Sequence, residues 1–471
     1  MAFRPDLVID AEPSAGPSTP AFIARRLWFT LVAATLLLAA PGLGHAESDS
    51  SSPDSATIDL AKAVGLALQA NPELQAAVSD IGVASAQREK AAAARWPTLR
   101  AQTGLTEYRR EQRLYPAAVP GEPATISHQI IGADLLVAFP LYTGGRISGT
   151  LDAAELAEQA ARSTSQWTKT ELVYRVTVAY FGILAQRRVI SALDSTEAAM
   201  LQHLERLGAL VEERKAAPLD RQRVEVRLAA LRQRRIQEQT TLEVQTLTLL
   251  ALIGNASRPP PRVTGELSAP PEQGPKAVEV LLQEALAQRA DCRAMRDAVH
   301  SQERRVEVAV AGHYPQLQLA GSYGLRWGVF PSVQPEGVSA IADVGQVGLY
   351  LDVPIFEGGR VSAEVREQQA RLSAMQERLR QVELRVALEV EAAVLDRRAA
   401  LERVALSQAT VGQASEAFRV ETEKQAVGKS TISDVLSAQS DLLDAEASRA
   451  RALADANIAT AALRRALGED T

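Results

Sequence analysis

Apolar and polar residues mostly alternate over Gln316 to Trp327, with Leu317, Leu319, Tyr323, Leu325 and Trp327 on one parity and Gln316, Gln318, Ser322 and Arg326 on the other. Val347, Leu349, Leu351 and Val353 alternate in the same way with Gln346, Gly348, Tyr350 and Asp352. A period of two is that of a strand with one greasy and one wet face. Residues 99–108 and 131–139 carry a noisier version, so four strands are expected at about 98–111, 126–139, 316–329 and 341–353. Pro/Gly-containing loops join them at 112–125 and 331–340. After each pair the period lengthens. Val365, Leu372, Leu379 and Val386 recur every seventh residue with Met375 and Val382 between them, the pattern of coiled-coil packing.

The change of period falls on a phrase that occurs twice, Phe139-Pro140-Leu141-Tyr142-Thr143-Gly144-Gly145-Arg146 and Val353-Pro354-Ile355-Phe356-Glu357-Gly358-Gly359-Arg360, at an offset of 214 in numbering. Pro140 and Pro354 end strand pairing because proline has no N–H, and Gly144-Gly145 and Gly358-Gly359 let the backbone turn sharply into a helix. No proline follows from Leu141 to Ala217, and none from Ile355 to the last residue. A helix from Gly145 to about Arg214 would be roughly 105 Å long at ~1.5 Å per residue. Ion pairs such as Glu367 with Arg371 support its counterpart's outer face.

The duplication extends further. A helix from near Thr57 to about Arg95 matches one from Val278 to about His313, with Ala67-Leu68 and Ala285-Leu286 at an offset of 218. Each ends in an aromatic-proline pair, Trp96-Pro97 and Tyr314-Pro315, at the same offset. The long helices break at Ala216 to Asp220 and at Ala426 to Asp434, and Asp220 and Asp434 return to the offset of 214. Return helices follow and stop at Gly254 and Gly468. The chain divides into a first repeat at 57–255, a Pro-rich linker at 256–275 and a second repeat at 276–468.

Composition narrows the class. Only 4% of the 471 residues are aromatic and the net charge is −6 with signs interspersed, which favours helix-on-helix packing and gives no nucleic-acid surface. Arg25-Arg26, the apolar run Leu27 to Ala40 and Gly44-His45-Ala46 read as a signal peptide at 1–46 cleaved after Ala46, with a Ser/Asp-rich tether at 47–56. A signal anchor is the competing reading, although the run from Leu27 to Ala40 is short for a span. No later run reaches 18 apolar residues, so entry into a membrane requires a closed barrel of strands. The single cysteine, Cys292, reads as a small apolar residue on a helix face. No metal, cofactor or catalytic carboxylate pair is expected, and Gly144 to Gly149 lacks the Gly-Lys-Ser/Thr ending of a phosphate loop.

Aromatic residues bound the first and third strands at Trp96, Tyr108, Tyr314 and Trp327, a spacing that fits a membrane crossing of ~9–11 tilted residues. Four strands are too few to close such a barrel, so oligomerisation is required. On these features the chain resembles the TolC-like outer-membrane efflux proteins. The likeness covers residues 57 to 468 and is carried by Leu60 to Leu74, Trp96-Pro97, both Pro-x-x-x-Gly-Gly-Arg joints and Gly428 to Leu436. It implies a mainly α, mixed fold: a periplasmic barrel of long antiparallel coiled-coil helices, and a transmembrane β-barrel of four strands per protomer, twelve in a homotrimer. It implies a passive exit duct in the outer-membrane lipid of a Gram-negative cell, joined to a periplasmic adaptor and an inner-membrane pump, for drugs, metals or other small molecules. Export of proteins through the same duct is an alternative. A periplasmic coiled-coil adaptor or scaffold is the alternative of another class, against which the whole-unit duplication speaks.

The resemblance also assigns residues. Asp434 falls on the acidic motif with which family members narrow the periplasmic tip, while the next acidic position, one turn on, is Ser437 here. Thr431 and Asp434 equally fit a helix cap. Asp220 reads as a first-turn helix acid or a further gate residue, and Lys429, Ser430 and Thr431 as an adaptor-docking tip or a solvated turn.

Overall fold

The computed structural model describes residues 57–214, 217–255, 262–271, 274 and 277–469. The expected signal peptide and tether, and parts of the linker and of the first tip turn, lie outside them. Among the described residues sixteen elements follow one another, and the second half repeats the order of the first. The first half comprises β1 (Thr57–Ile58), α1 (Leu60–Ala70), α2 (Pro72–Ala93), β2 (Thr98–Arg113), β3 (Ile126–Tyr142), α3 (Arg146–Glu212) and α4 (Pro218–Leu252). The second comprises β4 (Arg262–Val263), α5 (Val278–Gln288), α6 (Ala290–Val310), a 3-10 turn (Ala311–His313), β5 (Gln316–Gly328), β6 (Pro331–Val333), β7 (Ile341–Asp352), α7 (Arg360–Ala426) and α8 (Ile432–Leu467).

The four long strands form an antiparallel sheet in the order β2-β3-β5-β7, and β6 adds a short edge beside β3. Its register stacks Leu105, Ile131, Trp327 and Ile341 in one row, and Leu99, Val137, Gly321 and Val347 in another, on the apolar face. Rows of the other parity hold Arg100, Leu136, Ser322 and Gln346, and Gln102, Asp134, Gly324 and Val344. On that polar face Arg326 Nη1 donates to Asp134 Oδ1 at 2.7 Å. Asp343 interrupts the apolar face near its end, where the Tyr323 hydroxyl lies 3.4 Å from Oδ2. The outer edges of β2 and β7 pair with nothing among the described residues, and the sheet is open.

Each strand pair feeds a 67-residue helix, α3 or α7, about 100 Å of helix at ~1.5 Å per residue. The joints turn through glycine in the left-handed region, Gly144 and Gly145 at φ 64° and 89°, Gly358 and Gly359 at 62° and 82°. At the upper level the helices stand in the order of the strands, α2 against α3, α3 against α6, α6 against α7. Below, α4 and α8 fold back and pack on α3, and α8 also on α7. The expected heptad position Val386 lies fully buried under α8 with Val390, in a cluster with Leu463, Ala466 and Cys292.

Several expectations needed correction. The helix read as continuous from Thr57 to Arg95 breaks at Asn71, whose Oδ1 accepts from the N–H groups of Glu73 and Leu74 while Pro72 starts a new helix. Its counterpart breaks at the duplicate position, Arg289, without a proline. Pairing does not end at Pro140: β3 continues to Tyr142 across a bulge between Pro140 and Tyr142, where a missing N–H is tolerated. In the second copy the strand does stop before Pro354. The start of the first repeat and the linker contribute β1 and β4, a two-residue parallel pair between Thr57-Ile58 and Arg262-Val263. Finally, α3 contains one 18-residue window apolar enough to cross a membrane by composition, and 56% of that window is buried. Its apolar side is Leu172, Val176, Tyr180 and Ile183, packed against α1, α4 and β4.

Candidate gate at the helical tip

The site begins with the turn that reverses α7 into α8. The α7 helix ends in a left-handed Gly428 at φ 73°, with the Lys429 N–H donating to Lys424 O at 2.8 Å and the Gly428 N–H to Gln425 O at 3.1 Å, the two closing bonds of a Schellman motif. Three residues on, Thr431 caps α8. Its Oγ1 accepts from the Asp434 N–H at 3.3 Å, and Asp434 Oδ2 accepts from the Thr431 N–H at 3.0 Å and its hydroxyl at 2.6 Å, a complete capping box.

Ser430 ties this cap to α7. Its hydroxyl donates to Glu421 Oε2 at 2.6 Å and stands 3.3 Å from Asp434 Oδ2, and Lys424 Nζ holds the other Glu421 oxygen at 2.7 Å. Two carboxylates are thereby held on either side of one hydroxyl. The hydroxyl and N–H of Thr431 keep the Asp434 carboxyl below the usual aspartate range, with Ser430 and Lys424 adding to the effect. Lys424 and then Ser430 do the same for Glu421. Both stay charged at neutral pH. Ser437 lies one turn beyond Asp434 on the same exposed side of α8.

Asp220 occupies the corresponding third position of α4, but its N-cap Ala217 offers no side-chain bond, and Asp220 instead pairs with Arg223 at 3.6 Å. It does not join the Asp434 cluster. The two return helices are linked further up. Arg227 bonds Ser440, Arg234 Nη1 meets Asp444 Oδ1 at 2.7 Å, and Arg451 Nη2 meets Glu238 Oε1 at 3.2 Å. All three bonds join nearly duplicate positions of the two repeats, so α4 and α8 run side by side at matched depth.

Two strand pairs thus run into two 67-residue helices, each followed by a return helix. The family model for the outer membrane efflux protein matches residues 63–255 and 281–469. The chain belongs to that family. Outer membrane efflux protein BepC of Brucella suis biovar 1 is 23% identical over 335 residues, 70% of either chain. Outer membrane protein TolC of Escherichia coli K12 is 26% identical over 308 residues, 61% of this chain and 59% of that one. The crystal structure of the outer membrane protein VceC from Vibrio cholerae superposes with a TM-score of 0.72 at 21% identity, covering 87% of this chain and 96% of that chain. Efflux proteins of this family are outer-membrane channels that reach into the periplasm, not enzymes.

Sequence reasoning missed Glu421 and Lys424, which only the i, i+3 spacing of an acid and a base in the last turns of α7 could have flagged. It also missed Arg289. This side chain is 1% exposed, yet it bonds Asp291 and Glu389 at 2.7 Å each, lies 4.4 Å over the Trp167 ring and reaches Ala466 O at 3.4 Å. Asn71, its duplicate, reaches Leu252 O at 2.9 Å, and Leu252 is itself the duplicate of Ala466. In both halves the residue at the helix break thus bonds the end of the return helix. Next to Arg289, Cys292 is buried in the apolar cluster and its thiol is pushed up to about 11, chiefly by that burial and then by Asp291. That leaves it unreactive at neutral pH.

Proposed function

We propose that three copies of the chain form the exit duct of a tripartite efflux system, passing drugs, metals or other small molecules handed over by an inner-membrane pump and a periplasmic adaptor. The observation that carries this reading is an open four-stranded sheet with one apolar face and two unpaired edges, continuous with helices far too long for a compact core. Unpaired edges are not tolerated in lipid, so the edges must meet those of further copies. Three copies give twelve strands, above the eight of the smallest membrane barrels.

In this reading the apolar rows face lipid and the rows of Arg100, Gln102, Asp134 and Arg326 face water. At the other end, the α8 tip narrows the tunnel, with Asp434 and Ser437 lining it and Glu421 adding charge. A ring of acids in a narrow pore favours cations. Lys429, Ser430 and Thr431, on the outermost turn, form the contact for the adaptor.

The test is purification from membranes in detergent. An oligomer that collapses to monomer on heating in SDS, and that conducts ions when placed in planar bilayers, is expected. Recovery of soluble monomer from the periplasmic fraction refutes the reading.

A further inference from the structure

A cleft of about 450 Å³ opens between α3 and α8, under the linker residue Leu267. Arg188, Ser191 and Ser195 enter it from α3, Glu446 and Arg449 from α8. Residues three and four apart share one side of a helix, so each helix presents its set together. Between them the cleft is lined by Ala192 and Ala450, both buried, which keep its floor shallow and uncharged.

Three charges stand in this cleft without a partner. Among the described residues, Arg188, Arg449 and Glu446 make no ion pair and no side-chain hydrogen bond, and the Ser191 hydroxyl makes none either. Glu446 and Arg449 are one turn apart on α8, a spacing that does close elsewhere in the molecule, at 2.6 Å for Glu416 with Arg419 and 2.7 Å for Glu421 with Lys424. Here both signs of charge are present and kept apart.

The cleft faces outward. Leu267 packs on the same buried cluster as α1, so the opening lies on the side of α3 that carries α1 and the linker. At about 100° per residue, Glu446, Arg449 and Leu453 lie on the side of α8 opposite Ser440, Asp444 and Arg451, which meet α4. In a tunnel walled by α3, α4, α7 and α8, the added layer of α1, β1, β4 and linker belongs outside, where it leaves the bore free. The cleft therefore opens to the periplasm, roughly 70 Å along α3 from the joint at Arg146, at ~1.5 Å per residue.

We infer that this cleft holds the free end of a cell-wall peptide, a group that carries a carboxylate and an ammonium close together. The guanidiniums of Arg188 and Arg449, with the Ser191 hydroxyl, take the carboxylate, and Glu446 takes the ammonium. A simple anion is opposed by Glu446 and a simple cation by the two arginines, whereas a zwitterion satisfies all three. A duct that reaches from the outer membrane into the periplasm passes the wall, whose uncross-linked peptides present such ends in quantity. Docking there ties the duct to the mesh on its outer face and leaves the bore untouched. The inference rests on the duct reading above for which side is outside, and three copies give three clefts whose weak contacts reinforce one another.

The test uses full-length protein in detergent, sedimented with purified Gram-negative sacculi, and the free tripeptide L-alanyl-γ-D-glutamyl-meso-diaminopimelate as competitor. Wild type is expected to sediment and to be released by the tripeptide, but not by the same tripeptide amidated at the carboxylate beside its free amine. Arg188→Gln with Arg449→Gln should lower binding about tenfold or more. Glu446→Gln should lower it severalfold, and Arg403→Gln, which removes the same charge from exposed α7, should leave it unchanged. General attraction of a basic surface to an acidic polymer predicts the reverse for Glu446→Gln. Binding that strengthens in Glu446→Gln, that the amidated tripeptide competes equally, or that Arg403→Gln lowers as much as the double variant overturns the proposal. A conducting, heat-labile oligomer that stays in the supernatant also overturns it and leaves the duct reading standing. Protein that neither assembles nor conducts overturns both.

Discussion

Replacing Arg289 by methionine removes a charge from a side chain that is only 1% exposed while keeping much of its volume. Burial alone pulls a guanidinium's pKa down; here the hydrogen bonds of Asp291 and Glu389 outweigh burial and hold it above the ordinary arginine value. Loss of one partner of a buried pair destabilises by about 3–5 kcal/mol because the other charge is stranded. Asp291 and Glu389 retain 22% and 27% side-chain exposure, and Glu389 keeps Arg465 at 3.7 Å, so they rehydrate in part and the low end applies. Loss of the stack on Trp167 adds about 1 kcal/mol. The sum is about 4 kcal/mol, shared among elements α3, α6, α7 and α8. If these contacts are broken at the transition state for unfolding, the purified protein should unfold several hundred-fold faster at fixed temperature, since each ~1.4 kcal/mol is a factor of ten. Tryptophan fluorescence reads this directly through Trp167. Adding Glu389→Met should recover part of the loss, as it removes one of the two carboxylates left without the arginine. An Arg289→Met protein that unfolds within twofold of wild type, or a double variant worse than the single one, refutes the reasoning.

Three further outcomes are expected. Asp434→Asn should weaken block of the channel by multivalent cations, and unchanged block would place the constriction elsewhere. Because the folded-state pKa of Asp434 is lowered, its contribution to the tip is fully present above the unfolded value, ~3.9, and is lost only as pH falls below that through the folded value. Wild-type block should therefore persist through pH ~4 and fade beneath it; loss already at pH 5 to 6 would assign block to another group. Gly144→Ala should impair assembly, since its Cβ would meet Tyr314 at 2.6 Å in a left-handed backbone, whereas Gly208→Ala, near the C-terminal end of α3 with nothing within 4 Å, should not. Heat-labile oligomer on SDS gels measures both.

The joints were legible because their chemistry is local. Proline, a glycine pair and a switch of period say what the backbone does without reference to the rest of the chain, and the second copy at 353–360 says it again. The helix cap at Thr431 and Asp434 was legible for the same reason. The breaks at Asn71 and Arg289 were not. Apolar periodicity runs through both; the cap at Asn71-Pro72 is local, but Arg289 has no proline or cap, and both residues are held by bonds to Leu252 and Ala466, far along the chain. The pair β1 with β4 is too short to show a period and exists through parallel pairing of the start of the first repeat with the distant linker. Pro140 was read by a rule that holds for regular ladders, and the bulge beside it suspends that rule. At the tip, Asp434 stood out by position, but its coupling through Ser430 to Glu421 depends on how closely α7 returns into α8.

If the proposed tip opens by separating α4 from α8, the bonds between these two helices oppose it. Both helices bury their apolar stripes on α3, Leu228 and Leu231 from one side, Leu436 and Leu443 from the other. What joins them directly is the set of arginine bonds, Arg227 to Ser440, Arg234 to Asp444 and Arg451 to Glu238. The side chains of Arg234, Asp444 and Arg451 are at least a third exposed, so each ion pair is worth about 0.2–1 kcal/mol, and together the bonds amount to about 1–2 kcal/mol. That is too little to define the fold and enough to shift a two-state tip by a factor of roughly 5–30. Arg234→Ala with Arg451→Ala should raise the open fraction of the channel in bilayers by up to that factor at about 0.1 M salt. The difference should shrink at about 1 M, where the screening length drops to about 3 Å. Apolar packing on α3 has no such salt dependence. A variant whose open fraction is unchanged, or changed equally at both salts, would show that the tip moves as one body with α3 and that the arginines merely decorate it.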